Sequence, residues 1–142
     1  MNKVAVAVGT VAAIALIAGT AYAGVRTDMA RTIRLNNPGA IRKSNNAWLG
    51  KATTSDSDLE AFTSAAYGAR AMLVNMKTQY NNGFRSIGTL VTRWSGGENA
   101  AAYAKAISEA VGIPQTVQFP WDETTVCKIA KAMADWEAGI PW

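Results

Sequence analysis

The chain has 142 residues, with 14 Lys and Arg against 10 Asp and Glu for a formal charge of +4, one cysteine and no histidine. Without an imidazole, Ser-His-Asp and Cys-His catalysis and most zinc sites are excluded. The lone Cys127 excludes an internal disulfide, so the chain, long enough for one domain plus an appendage, must hold together by packing.

Residues 4–25 carry no charge and follow Lys3, and at ~1.5 Å per residue they span a bilayer as a helix. Two fates fit: a retained transmembrane anchor in contact with membrane lipid, or a signal peptide cut after Ala21-Tyr22-Ala23, ahead of Gly24. By the charge rule a retained anchor, with more arginine after it than before it, places the domain on the cytoplasmic side of a bacterial inner membrane, and a virion membrane assembled from such a host membrane would reconcile that with export. A cleaved one gives a periplasmic or secreted domain. Residues 26–33 then form a basic juxtamembrane linker, and 34–142 the domain proper.

Between residues 26 and 51, Arg26, Arg31, Arg34, Arg42, Lys43 and Lys51 face Asp28 alone. Such a stretch is either a solvated lead-in or attracts a polyanion: lipid headgroups, an anionic wall polymer or nucleic acid. Nucleic acid ranks last, because no groove of alternating aromatic and basic residues repeats along the chain.

From residue 32 to 63, Pro, Gly, Asn and Ser with isolated aromatics predict irregular chain and a short hairpin, with Asp56 and Asp58 solvated at its tip. Four amphipathic helices follow. Ala69, Met72, Leu73, Met76 and Tyr80 lie behind a Ser64 cap and stop at Asn81-Asn82-Gly83; Ile87, Leu90, Val91 and Trp94 lie behind Ser86 and stop at Ser95-Gly96-Gly97. Tyr103, Ile107 and Val111 end at Gly112 and Pro114. Val126, Ile129, Ala130 and Met133, with Cys127 as core packing, follow Asp122 and stop at Gly139 before Pro141. The predicted fold class is mostly α (α+β): a helical domain with a small irregular or β-hairpin lobe.

Glu137 continues the face of Val126, Ala130 and Met133, which sets a carboxylate in the last helical turn on the core side. Burial raises a carboxyl's pKa, the property a general acid needs. A frayed last turn would instead leave it solvated. Glu60, just before Phe62 on the exit strand of the hairpin, is the second candidate, since glycoside chemistry commonly uses two carboxylates. The run Arg34-Leu35-Asn36-Asn37-Pro38-Gly39-Ala40-Ile41-Arg42 with Trp48-Leu49-Gly50 combines amides, a cation and a flat aromatic face, which suits sugars. The plainer reading is a structural turn whose Asn side chains bond their own backbone. No metal or organic cofactor is implied.

These residues resemble a family of small phage and prophage virion proteins that carry an N-N-P-G-N-I-R motif followed by W-x-G. Gly68-Ala69-Arg70-Ala71, Arg93-Trp94, Glu98-Asn99 with Tyr103, and Trp136-Glu137-Ala138-Gly139 with Pro141-Trp142 match the family's later motifs. The sequence departs at Ala40, where the family has Asn, and at Trp136, where it has His. The order of motifs is also similar to bacterial cell-wall glucosaminidases, with the Glu helix moved from the front to the back, and Glu137-Ala138-Gly139 resembles the end of the first helix of phage lysozymes.

The resemblance implies a lysozyme-like, circularly permuted domain in a membrane-associated phage enzyme that cleaves peptidoglycan during wall penetration or lysis. Muramidase, glucosaminidase and lytic transglycosylase activities all remain open. Glu137 and Glu60 become the catalytic candidates, and Asn36, Asn37, Arg42, Trp48 and Tyr103 the substrate contacts. The partners implied are peptidoglycan and other virion proteins. The alternative is a non-catalytic minor virion protein that binds cell wall.

Overall fold

The computed structural model describes residues 30–142, so residues 4–25, and the choice between anchor and signal peptide, lie outside the described residues. No described helix is long and apolar enough to cross a membrane. A one-turn helix, α1 (Arg31–Arg34), leads into the Asn-Asn-Pro-Gly turn. The hairpin β1 (Lys51–Ala52) and β2 (Ala61–Phe62) follows, antiparallel, with Lys51 opposite Phe62 and Ala52 opposite Ala61. The helical lobe comprises α2 (Ala65–Asn81), α3 (Ile87–Ser95), α4 (Ala100–Val111) and α5 (Glu123–Ala138). The described domain is therefore mostly helical with one small sheet, the α+β class expected from the periodicities.

Local chemistry explains the helix ends. Ser64 accepts from the Tyr67 N–H, Asp122 from the Thr125 N–H, and Ser86 and Thr89 form a reciprocal capping box. Each cap satisfies backbone donors that a helix start leaves open, worth about 1 kcal/mol. Gly96, Gly112 and Gly139 close α3, α4 and α5 in the left-handed conformation, which costs glycine nothing. Met72, Met76, Leu90, Ile107, Ile129 and Met133, all nearly inaccessible, share one core cluster with Tyr103 and Cys127.

Two expectations change at the N-terminal edge. Residue 34 is not where the described domain begins: α1 packs on α5, and Ile33 is buried with Ala134 and Trp142 beside Ala30. Because α1 has only four residues, hydrophobic periodicity had too few turns to reveal it. Nor are the tip carboxylates both solvated. Arg31 Nε donates to Asp56 at 2.6 Å and Arg31 also reaches Asp58 at 3.3 Å, which clasps α1 to the hairpin lobe. The Arg31 hydrogen bonds, followed by the Leu59 and Asp58 N–H groups, hold the Asp56 carboxyl well below the usual carboxylate range.

The turn itself lies directly on α2. A Cβ at Gly68 would stand 1.8 Å from the Asn36 carbonyl oxygen, so only glycine allows this approach. On the other side, Trp94 Nε1 donates to Gly39 O at 2.9 Å and ties α3 to the same turn. The two lobes thus meet at residues 36–39.

Candidate functional site

A cleft of about 680 Å³ opens between the lobes, with Ile41, Arg42 and Trp48 from the small lobe and Arg93, Tyr103 and Glu137 from the helices among its walls. Glu137 reaches it because the buried stripe of α5 runs to its last turn, where the side chain is half-buried. Tyr103, 1% exposed on the buried stripe of α4, donates its hydroxyl to Glu137 Oε2 at 2.8 Å. Trp136 stacks on the Tyr103 ring, centroids 4.9 Å apart and planes at 19°, which restricts the direction of that hydroxyl.

Electrostatics at Glu137 are opposed. Desolvation raises its carboxyl above the ordinary value, while the Tyr103 hydrogen bond and the positive field of Arg42 pull it back down. Desolvation dominates, so Glu137 retains its proton to higher pH than an exposed glutamate. Burial, then the neighbouring Glu137 charge and hydrogen bond, push the Tyr103 hydroxyl far above its ordinary value. Tyr103 is therefore a permanent donor, and it belongs to the support of Glu137 as well as to the cleft wall.

Arg42, Trp48, Tyr103 and Glu137 line the cleft as expected, but Asn36, Asn37 and Glu60 do not. Asn37 is fully buried; its Nδ2 donates to Ile41 O at 3.0 Å and to Glu60 O at 2.9 Å, and its Oδ1 accepts the Ile41 N–H at 2.9 Å. Asn36 donates Nδ2 to Phe62 O at 3.0 Å and holds φ at 54°. Both amides are spent on backbone, so the assignment of Asn36 and Asn37 to substrate is corrected: they brace the turn to the hairpin.

Glu60 is corrected for a similar reason. At 2% exposure it lies outside the cleft walls, with Oε2 bound by Lys51 Nζ at 3.0 Å and by the Ser44 N–H at 3.2 Å. Lys51 Nζ also donates to the carbonyls of Ser44 and Asn46, at 2.9 and 3.2 Å. The pair therefore secures the loop that presents Trp48, and is structural in this domain.

Glu98 and Asn99, which the sequence offered only as a motif match, also line the cleft. Asn99 begins α4 at φ 52° without a side-chain cap bond. An Asn before a helix reads as a cap, and no sequence pattern reports when its amide turns elsewhere.

A larger groove, about 940 Å³, runs between α4 and α5. Its walls are mainly apolar, with Lys128 and Lys131 at its side, and its one carboxylate, Asp135, is bound by Lys131 Nζ at 2.6 Å and by the Trp142 N–H at 2.8 Å. The groove lacks a free acid, so the chemistry belongs to the cleft. Among the described residues no cluster of three or more His, Cys, Asp or Glu is placed to hold a metal ion. No family model matches this chain, and no curated protein matches it significantly.

Proposed function

We propose that this domain cleaves the glycan strands of peptidoglycan, with Glu137 as general acid. The observation that carries this reading is a half-buried carboxyl on a cleft wall, raised by desolvation and oriented by a buried tyrosine. Trp48 and Trp94 in the same cleft suit the apolar faces of sugar rings. The motif resemblance to virion and wall-degrading proteins supports the substrate class, and an N-terminal anchor would hold the activity at a membrane.

In this mechanism Glu137 gives its proton to the glycosidic oxygen as the C1–O bond breaks, and the sugar passes through an oxocarbenium-like state. The resulting carboxylate then takes the proton of the hydroxyl that attacks C1. With Glu60 outside the cleft, the economical nucleophile is the sugar's own C6 hydroxyl, which closes a 1,6-anhydro ring and needs no second carboxylate. Hydrolysis would instead use Glu98 to activate water.

The test is turbidity loss of purified peptidoglycan with the full chain in detergent and with Glu137→Gln. The variant is expected to lose about 100-fold or more. Equal rates would sink the role of Glu137, and binding without release of soluble fragments would favour a wall-binding virion protein. Mass spectrometry separates the anhydro product, lighter by one water, from the hydrolysed one.

A further inference from the structure

The cleft carries more positive charge than its chemistry uses. Arg31 is occupied by Asp56 and Asp58, but Arg42 and Lys43 on the small lobe and Arg93 at the end of α3 make no ion pair among the described residues, and all three line the cleft. They flank Glu137 from both lobes. A cation near a general acid works against it, since the field of Arg42 favours the ionised form of Glu137. Neutral sugars gain little from such groups, whereas carboxylates would both pair with them and cancel that field.

Building on the glycan-cleaving reading, we infer that Arg42, Lys43 and Arg93 form a carboxylate-recognising rim, so that the cleft selects glycan strands whose substituents carry free carboxylates over neutral strands of the same backbone. A bound carboxylate beside Arg42 offsets that field, favours the protonated form of Glu137 further and couples recognition to the acid step.

The decisive comparison uses the full chain in detergent with peptide-bearing wall glycan, the same glycan after its carboxylates are amidated, and N-acetylglucosamine oligomers. Exposed charge pairs are each worth a few-fold, so three together give about a tenfold preference in kcat/KM for the carboxylated strand, declining with salt. In the Lys43→Gln/Arg93→Gln double variant that ratio falls toward one. The alkaline limb of kcat lies at higher pH on the carboxylated strand than on the amidated one.

Equal cleavage of native and amidated strands by the native chain overturns the rim while leaving the catalytic reading intact. If no strand is cleaved, the catalytic reading fails, and sedimentation with carboxylated or amidated wall then decides the rim by itself: equal retention overturns it, and preferential retention lost in the double variant supports it. Displacement of bound glycan by stoichiometric duplex DNA at physiological salt would reassign the rim to nucleic acid and overturn the inference.

Discussion

Replacing Asn37 by Ala separates a brace from a substrate contact. The native amide makes three hydrogen bonds, to Ile41 N, Ile41 O and Glu60 O, at a position with 0% exposure. Truncation leaves those three backbone groups without this partner. At about 1 kcal/mol each the loss is about 3 kcal/mol, and more where water does not enter the gap. For a domain of this size that is a fall in Tm of about 12–18 °C.

Asn37→Asp sharpens the case, because it preserves shape and the acceptor for Ile41 N–H but turns a charged oxygen toward two carbonyls. It is expected to be at least as destabilised at neutral pH and to recover partly in acid, when the protonated carboxyl can donate one bond. Thermal melts followed by circular dichroism at two pH values measure both. If Asn37→Ala costs less than about 1 kcal/mol while wall binding weakens, Asn37 contacts substrate and the bracing account is wrong.

Three other outcomes follow from the same geometry. Tyr103→Phe removes a hydrogen bond that favours ionised Glu137, so the alkaline limb of activity moves to higher pH; initial rates across pH check this, and an unmoved limb refutes the positioning role. Because burial raises the Glu137 carboxyl, the stability tied to its protonated form is complete below the unfolded value and is lost as pH rises through the folded one. Glu137→Gln therefore melts above the native chain at neutral pH and level with it at about pH 3, and calorimetry showing no gain at neutral pH would contradict the desolvation. Ala40 sits at φ 49°, a conformation alanine resists and Asn tolerates, so Ala40→Asn should stabilise by about 0.5–1 kcal/mol in urea titration. An unchanged midpoint would argue against that strain.

Much of the helical lobe was legible because its signals are local. Ser64, Ser86 and Asp122 cap the helices they precede, and the apolar residues at helical spacing behind them fill one core. Glu137 could be placed on the core side by counting along α5, since the helical period is fixed by the backbone. The small lobe was less legible. Asn36, Asn37 and Glu60 have the composition of a sugar site; two of the Asn37 bonds are the local kind that a structural turn makes, to Ile41, whereas the third, the Asn36 bond and those of Glu60 reach partners farther along the chain.

The sequence by itself determined the four longer helices, most of their ends, the exclusion of histidine and disulfide chemistry, and one carboxylate set against an apolar stripe. Only the tertiary structure decided which polar groups remain for a ligand. It turned Asn37 and Glu60 inward, and brought Arg42, Arg93, Tyr103 and Glu137 to a single cleft. The physical reason is that a polar side chain satisfies itself with whatever partner folding brings near, and for these residues the partners are other turns of the small lobe.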